Sequence, residues 1–376
     1  MKYKYIDSIR GIAILLVILV HTGRSVIGLD SYLEYLVLYG QMGVQLFFIA
    51  SAFTLCLSTQ SRDKEKKFLL NFYIRRFFRI APAYFIIGIL GYFIIRTLML
   101  YLKTGILEAP EIYTIPNVLS NLFFYHGLNV NGNNLVPGGW SIGTEMLFYL
   151  IFPFTFFFLK KKLNSIPRIM IFPIVVFIIT QIIIFYYQGI MVYSNSFIYF
   201  NILNQASVFS WGISLYFLHK YKVLEAIPTY VFVVVFIVFS LLAIYFGWGI
   251  SREKSFYFGL VPFLSSISFI GLVEISRRLS WFQNKVLCKI GELSFSMYLV
   301  HYFFATSVFS YINSHLFQNL FSPELCLILY FGSTVFVSFW ISKISYKLIE
   351  KPSVNIGRNI ITKLNSLNYS PKAELR

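Results

Sequence analysis

The stretch "IRGIAILLVILVHTGR", residues 9–24, decides the fold class of the chain. Between Arg10 and His21 lie ten residues without a charge or a strong hydrogen-bonding side chain. A helix this apolar is typical of a membrane span, where an ionisable side chain costs free energy and usually has a function. The stretch therefore predicts a membrane protein in which His21 is a candidate functional residue.

The rest of the chain repeats this pattern. Hydrophobic residues make up 57% of the 376 residues and charged residues 12%, and the mean hydropathy is +0.71. Apolar runs of roughly twenty residues predict an all-α, polytopic membrane helical bundle, whereas barrel strands would alternate over about ten residues. The ten predicted spans are 9–28, 36–58, 80–102, 141–159, 167–187, 196–217, 228–248, 256–276, 290–312 and 324–346.

The basic residues predict the orientation of these spans. If the N-terminus is cytoplasmic, 27 of the 32 Lys and Arg residues fall on the cytoplasmic side. The positive-inside rule then places both termini in the cytoplasm. Five cations remain for the outer side, which are Arg24, Arg96, Lys103, Arg252 and Lys254. The net charge of +17 is thus a topology signal, and nucleic acid is not an expected partner.

The same residues predict the domain organisation. A membrane domain covers residues 1–352, and a cytoplasmic C-terminal tail covers 353–376. The first span is expected to remain uncleaved, because Arg10 lies just inside it and no small-residue cleavage pattern follows. The three cysteines have no paired spacing, so neither a disulfide framework nor a metal site is expected.

Arg10 and His21 are expected to share one helix face. At 100° per residue, eleven residues return to within about 20° of the same direction, with an axial rise of about 16 Å. Both side chains would then line one groove, with the arginine at its cytoplasmic mouth. The alternative is a helix-packing histidine together with an ordinary positive-inside arginine.

A second group of cations lies in "FYIRRFFRIAPAYF", residues 72–85. Arg76 and Arg79 are three residues apart, so they share a helix face at the cytoplasmic boundary. Their guanidinium forks suit phosphate groups. The alternative is a basic flank whose side chains reach up to the lipid headgroups.

Two further segments place polar side chains on spans, the first of them at the outer end of its span. In "NNLVPGGWSIGTEMLFYLIFPF", residues 133–154, Ser141 is a predicted N-cap and Glu145 follows near the helix start. That carboxylate could orient a neighbouring histidine. The alternative is that it only stabilises the helix start through the helix dipole and capping. In "IGELSFSMYLVHYFF", residues 290–304, Tyr298 and His301 share a face. The remaining histidines, His126, His219 and His315, are predicted to be solvated or interfacial.

Five segments together resemble one protein family. They are "DSIRGIAILLVILVH", "RRFFRIAPAYF", "GGWSIGTEMLFY", "GELSFSMYLVH" and "YKLIEKP", and their order and spacing from about residue 5 to 352 are similar to those of the acyltransferase-3 family of integral membrane acyltransferases. The resemblance implies that residues 1–352 form a membrane acyltransferase domain in the bacterial cytoplasmic (inner) membrane. Some members carry a hydrolase-like domain after the bundle, which is not expected here, so this chain would deliver acyl groups directly.

The resemblance also implies substrates and residue roles. The donor would be cytoplasmic acetyl-CoA, and the acceptor a hydroxyl of a carbohydrate or lipid-linked glycan, such as O-antigen or exopolysaccharide, at the outer face. His21 would be catalytic, and Arg10, Arg76 and Arg79 would bind the donor. Glu145 is the candidate orienting carboxylate, and His301 with Tyr298 would form a second proton-transfer or oxyanion group. General-base and acyl-imidazole routes at His21 both remain open.

Two other classes of function fit a bundle of this kind. A carrier or flippase for a lipid-linked sugar would need no covalent chemistry. A polysaccharide polymerase usually has a large outer loop, whereas the largest outer segment here, about 103–140, has under forty residues. Thioester hydrolysis or acyl transfer by the purified protein separates the acyltransferase from both.

Overall fold

The computed structural model describes residues 3–128, 135–190, 199–249 and 256–366, and within these ranges the chain is helical and contains no strand. The helices are α1 Lys4–Gly23, α2 Ser31–Tyr39, α3 Gly43–Gln60, α4 Phe68–Ala83, α5 Tyr92–Thr104, α6 Ile115–Leu122, α7 Gly139–Lys162, α8 Ile166–Ile190, α9 Ile202–Lys220, α10 Thr229–Ile244, α11 Phe256–Arg278, α12 Lys285–Glu292, α13 Ser294–Phe303, α14 Phe309–Ile312, α15 Gln318–Leu320, α16 Pro323–Ser345 and α17 Lys351–Ser366. Wider π-helical turns join several of them, at Tyr84–Gly91, Tyr245–Gly249, Phe304–Val308, Asn313–Phe317 and Tyr346–Glu350.

In the described part of the chain, eight helical segments are long and apolar enough to cross a membrane. They are Lys4–Gly23, Ser31–Gln60, Phe68–Thr104, Gly139–Lys162, Ile166–Tyr186, Thr229–Gly247, Gly259–Arg278 and Pro323–Ser366. The chain is therefore a multi-pass helical membrane protein. The count of ten spans stays a prediction.

The two other predicted spans also fall on helices. The span predicted at 196–217 corresponds to α9, whose buried polar side chains, among them Asn204 and Gln205, lower its hydropathy. The span predicted at 290–312 is divided, because α12 ends at Glu292 and α13 begins at Ser294. Neither segment has the length and hydropathy of the other eight.

Helices α1 and α3 lie at the centre of the bundle. Two thirds or more of the residues in their most apolar windows are buried, 67% for α1 and 78% for the segment that contains α3, against 11% for the segment that contains α4 and α5. Helix α1 packs against α3, α12, α13 and α16, and α3 also packs against α9. Most residues of α1 and α3 therefore face protein rather than lipid, and buried polar ones such as Asp7 and Ser51 are among them.

Glycines bring α1 and α12 unusually close together. A Cβ atom on Gly11 would lie 2.5 Å from the carbonyl oxygen of Leu287, and one on Gly291 would overlap the carbonyl of Asp7. Small residues permit this backbone contact, as they do in many membrane helix pairs. The contact places the Arg10 segment next to α13, which carries Tyr298 and His301.

The structure corrects two sequence predictions about helix ends. The first span was expected to reach residue 28, but α1 ends at Gly23, and Arg24 caps it. The prediction that Ser141 is an N-cap is wrong, because α7 begins at Gly139 with Gly138 as its cap. Gly138 has φ +74°, a left-handed conformation that glycine adopts readily, so the turn starts the helix before Ser141 is reached.

Some predictions lie outside the described residues. These include Asn133 and Asn134, the first three residues of the span at 196–217, and the basic residues Lys2, Arg252, Lys254, Lys372 and Arg376. The domain boundary at 352 and 353 falls inside α17, which packs against α4. The boundary itself stays a prediction.

Candidate active site

Two arginines from different helices bind hydroxyl groups on one face of α3. Nη2 of Arg10 donates a hydrogen bond to Oγ1 of Thr54 at 3.2 Å, and Nη2 of Arg76 donates one to Oγ of Ser58, also at 3.2 Å. Thr54 and Ser58 are four residues apart and therefore adjacent on the helix. Their hydroxyl hydrogens are directed to backbone carbonyls of α3, which leaves the oxygen lone pairs to accept from the arginines.

The side chain of Arg76 is held between two aromatic rings. Its guanidinium carbon lies 5.6 Å from the ring centroid of Phe72 and 5.6 Å from that of Tyr149. Its Nε is buried and makes no hydrogen bond to any residue that the structure describes. A guanidinium packed in this way is oriented before any ligand arrives.

The positive charge of Arg79 lies within electrostatic range of both Arg10 and Arg76. Like charges brought together in a bundle of low dielectric are costly unless anions accompany them. Asp7 lies 3.9 Å from Arg10, and Glu350 of the "YKLIEKP" segment faces the charge of Arg79. Glu145 also interacts with Arg10 and Arg76, so three carboxylates accompany the three arginines. Each guanidinium has five N–H donors, more than these contacts use, so the group still suits an anionic ligand. We call Arg10, Arg76 and Arg79 the arginine cluster.

Arg75, next to the cluster, has a different environment. It forms an ion pair with Glu65 at 2.9 Å in the loop between α3 and α4. The same loop is held by Lys160, whose Nζ is 2.8 Å from Asp63 and whose hydrogen bond lowers the pKa of that carboxyl. Arg75 therefore holds the loop, while Arg76 faces α3.

Glu145 lies beside the arginine cluster. Its Oε1 accepts hydrogen bonds from Ser51 Oγ at 2.5 Å and from the hydroxyl of Tyr149. The charges of Arg10 and Arg76 both interact with it. Among the described residues no hydrogen bond or ion pair joins Glu145 to His21, so the expected contact between that carboxylate and the histidine is not made.

The two predicted catalytic histidines meet. The ring centroids of His21 on α1 and His301 on α13 are 5.4 Å apart, and Tyr302 packs edge-on against His21 at 4.8 Å. His21 is half-buried and His301 is 1% exposed. We call His21 and His301 the histidine pair.

The orientation of His301 is fixed by its own helix. Its Nδ1 lies 2.8 Å from the carbonyl oxygen of Tyr298 and 3.1 Å from that of Met297. Carbonyl oxygens only accept, so Nδ1 carries the hydrogen in the neutral ring, and Nε2 has the lone pair. That Nε2 is buried and makes no hydrogen bond in the described part of the chain. His301 thus presents the lone pair of Nε2, which no hydrogen bond among the described residues uses.

Tyr298 is directed to the turn before α7. Its hydroxyl donates to the carbonyl oxygen of Gly138 at 2.9 Å and lies 2.8 Å from Oγ of Ser141. Its ring also packs edge-on against Phe47 of α3, at 6.2 Å. The structure therefore brings the "GGWSIGTEMLFY" and "GELSFSMYLVH" segments into direct contact.

The other three histidines differ from one another. His315 is exposed, as expected, and stacks on Tyr311. His219 is half-buried and pairs at 2.5 Å with Glu274, a carboxylate that is 0% exposed. The prediction that His126 is solvated or interfacial is wrong, because the side chain is 0% exposed, packed between the turn that follows α6 and helix α7. Burial lowers the pKa of His126, although its contacts with backbone carbonyls act in the opposite direction.

Sequence reasoning missed several residues that surround the arginines, Glu145 and the histidines. These are Ser51, Thr54 and Ser58 on α3, Tyr149 on α7, Tyr302 on α13 and Glu350 after α16. The spacing of the three hydroxyls, at i, i+3 and i+7 on one apolar helix, was the available signal. Among the described residues, no group of three or more His, Cys, Asp or Glu side chains is placed to hold a metal ion.

Comparison with known proteins identifies relatives over nearly the whole chain. Residues 3–343 match the family described as "Acyltransferase domain", which is the acyltransferase-3 family. A Staphylococcus aureus (strain COL) protein named "Putative O-acetyltransferase" is 25% identical over 398 residues, covering 98% of this chain and 60% of the relative. A protein of the same name from strain MSSA476 is 25% identical over 391 residues, covering 97% of this chain and 58% of the relative.

The match to a third relative covers a shorter segment of the chain. An uncharacterised Haemophilus influenzae (strain Rd) protein is 28% identical over 172 residues, covering 44% of this chain and 66% of the relative. The chain spans about 60% of the length of the Staphylococcus relatives. No solved structure matches the chain significantly.

Proposed function

Because this chain belongs to the acyltransferase-3 family and is a membrane acyltransferase, we propose that it transfers an acyl group, in the first instance acetyl, from cytoplasmic acetyl-CoA to a hydroxyl of a cell-surface carbohydrate. The acceptor is a glycan or lipid-linked glycan, such as O-antigen or exopolysaccharide, at the outer face of the bacterial inner membrane. Both termini are then cytoplasmic, which agrees with the distribution of basic residues.

One observation supports this function more than any other. The arginine cluster and the histidine pair share α1, with Arg10 at one end of a helix face and His21 eleven residues further along it. The axial distance is about 16 Å. Cations suited to phosphate and a base suited to acyl transfer thus occupy opposite halves of one bundle, as a donor with an anionic head and a long acyl-bearing arm requires.

The arginine cluster is the proposed site of the donor's phosphates. Arg10 and Arg76 are oriented by Thr54 and Ser58, so their remaining N–H groups need no reorganisation to bind phosphate oxygens. Arg79 has an exposed side chain and supplies the third charge. Glu145, which is bound to Ser51 of α3, limits the accumulated positive charge and holds Tyr149 in contact with Arg76.

The histidine pair is the proposed site of the chemistry. In the general-base route His21 takes the proton of the acceptor hydroxyl, the oxygen attacks the thioester carbonyl, and the C–S bond breaks as the CoA thiolate gains a proton. In the acyl-imidazole route His21 attacks first and releases the CoA thiol, and the acceptor hydroxyl then takes the acyl group. In both routes His301, whose ring lies 5.4 Å from that of His21 and whose Nε2 has no hydrogen-bond partner among the described residues, would accept and return the proton.

Tyr298 has a supporting position in either route. Its hydroxyl is bound to Gly138 and Ser141, and its backbone carbonyl holds Nδ1 of His301. Its backbone carbonyl therefore sets the tautomer and position of His301, and its hydroxyl would have to leave Gly138 before it could donate to a developing oxyanion.

The test is acyl transfer by the purified protein in lipid nanodiscs, with radiolabelled acetyl-CoA and an extracted surface glycan. We expect label in the glycan with the wild type and at least a hundredfold less with His21→Ala, at equal membrane insertion, because an imidazole base or nucleophile contributes about 10²–10⁴-fold. His315→Ala, an exposed histidine on the same molecule, is the matched control. Full activity of the His21→Ala protein would remove His21 from the mechanism, and the absence of any transfer by the wild type would reject the substrates.

A further inference from the structure

A second buried histidine, His126, lies outside both the arginine cluster and the histidine pair. It belongs to the turn Tyr125–Gly127 between α6 and α7 and is 0% exposed. Its ring stacks on that of Tyr84, with an interplanar angle of 8° and centroids 5.8 Å apart. Loop side chains usually lie at the surface, and a polar side chain that is buried needs hydrogen-bond partners. The burial of this loop histidine therefore indicates a specific role.

Both ring nitrogens of His126 face backbone carbonyl oxygens. Nε2 lies 2.8 Å from the oxygen of Gly139, and Nδ1 lies 3.3 Å from that of Ser120. The hydroxyl of Tyr84, 3.3 Å from Nε2, donates instead to Oδ1 of Asn121 at 2.6 Å. The shorter contact assigns the ring hydrogen to Nε2, which donates to Gly139.

The packing around His126 leaves it little freedom. A Cβ atom on Gly143 of α7 would lie 2.7 Å from Nε2, and one on Gly127 would lie 3.1 Å from the backbone nitrogen of Thr144. The turn can therefore approach α7 only because both positions are glycine. This close approach fixes the distance from His126 to the start of α7.

His126 holds the carbonyl of Gly139, the first residue of α7, which directly follows the residue that Tyr298 binds. Gly139 follows Gly138, whose φ is +74° and whose carbonyl oxygen accepts the hydroxyl of Tyr298. The backbone oxygen of Tyr298 in turn binds Nδ1 of His301. Three hydrogen bonds therefore connect His126 with the histidine pair. They are joined to one another by the backbone of the turn and by Tyr298 itself.

We propose that His126 is a positioning residue for acyl transfer, which holds the Gly138–Gly139 turn through the Gly139 carbonyl and so sets the position of Tyr298 and His301. This inference rests on the proposed function, since it assigns His126 a role in that reaction. His126 contacts neither His21 nor the arginine cluster, so its effect is on the rate of transfer and not on donor affinity.

The test compares two amides of different reach. In His126→Gln the amide nitrogen extends to the position of Nε2 and keeps a donor for Gly139, whereas in His126→Asn it reaches only the position of Nδ1. We expect kcat to fall about ten- to a hundredfold in His126→Asn, a loss of the size that small misplacements cause, and to stay within about threefold of wild type in His126→Gln. KM for acetyl-CoA should change in neither. Equal losses in both variants would reject the positioning role.

A double-mutant cycle with Tyr298→Phe shows whether the effect passes through Tyr298. If it does, His126→Asn costs little further activity once the Tyr298 hydroxyl is absent. Additive losses would mean that His126 merely stabilises the fold, and would overturn the proposal. Should His126→Asn fail to accumulate in membranes, Gly143→Ala reaches the same hydrogen bond from α7, because its methyl group must displace Nε2.

Hydrogen exchange separates failure of this inference from failure of the proposed function. Amides of residues 135–142 are compared in the wild type, His126→Gln and His126→Asn, with His315→Gln as the control. Faster exchange in His126→Asn alone supports the hold on the turn, even if the wild type were found to transfer no acetyl group. Equal exchange in all four proteins would show that His126 does not hold the turn.

Discussion

Replacing Arg76 with lysine tests whether the arginine cluster recognises phosphate by shape as well as by charge. The guanidinium is held between Phe72 and Tyr149 and bound to Ser58 at 3.2 Å. Lysine keeps the positive charge but lacks the planar guanidinium, so it cannot donate two parallel hydrogen bonds to one phosphate. The variant therefore removes geometry and leaves electrostatics.

The size of the effect follows from the contacts that are lost. A hydrogen bond to a charged group contributes about 1.5–3 kcal/mol, and each 1.4 kcal/mol is a factor of about ten in affinity. Losing one fork contact to a phosphate should weaken CoA binding about ten- to a hundredfold. Arg79→Lys should have a smaller effect, because Arg79 is exposed and its interactions are more strongly screened.

The assay is calorimetric titration of CoA into the protein in nanodiscs, together with kinetics on two donors. Acetyl-CoA carries the phosphates, whereas S-acetylpantetheine lacks them. We expect Arg76→Lys to raise the Kd for CoA and the KM for acetyl-CoA, and to leave the use of S-acetylpantetheine unchanged. Arg75→Lys is the matched control, because the adjacent Arg75 is engaged by Glu65. Equal effects on both donors, or equal effects of Arg75→Lys and Arg76→Lys, would refute phosphate recognition by Arg76.

Three further predictions concern the histidines, Glu145 and the sidedness of the reaction. His301→Asn keeps a donor for the Tyr298 carbonyl but loses Nε2. The rate of acyl transfer should therefore fall about a hundredfold or more, with the thermal stability of the protein unchanged. A normal rate would remove His301 from proton transfer. Glu145→Gln keeps an acceptor for Ser51 and removes a negative charge near Arg10 and Arg76. The KM for acetyl-CoA should therefore fall while kcat stays constant. A fall in kcat alone would instead support a role of Glu145 in orienting His21. Sealed vesicles with labelled acetyl-CoA outside and glycan inside test the sidedness of the reaction. Label should reach the glycan only when the cytoplasmic face of the protein is outward. Equal labelling in both orientations, with leakage excluded, would contradict transfer across the bilayer.

Much of the architecture could be predicted from the sequence because its signals are local. Apolar runs predicted an all-helical membrane bundle, and helical spacing predicted which residues share a face, such as Arg76 with Arg79 and Tyr298 with His301. Boundaries depend on single residues, and Gly138 shows why Ser141 failed as a cap. A left-handed glycine begins α7 earlier than the pattern of polar and apolar residues suggests.

The partners of these residues could not be predicted, because they depend on which helices touch. Thr54 and Ser58 are ordinary small polar residues in an apolar helix until α1 and α4 bring arginines to them. Glu145 illustrates the same limit of spacing, since its position along α7 suited a histidine but its neighbours are Ser51 and Tyr149. His126 was predicted to be solvated because its segment lies between spans, yet Gly127 and Gly143 allow that turn to pack against α7.

The separation of the two clusters carries a physical consequence for the proposed reaction. Phosphate groups are too strongly hydrated to enter an apolar bundle unless cations replace their water, and the arginine cluster provides such cations only in the half of the bundle that contains Arg10. Beyond Thr54, the same face of α3 leads past Ser51 to Phe47, which packs against Tyr298 beside the histidine pair. This face of α3 connects the arginine cluster with the histidine pair, and a neutral acyl-bearing arm would cross it at less electrostatic cost than the charged head. On the proposed function, the bundle thus admits the acyl group to His21 while it keeps CoA on the side where its phosphates bind.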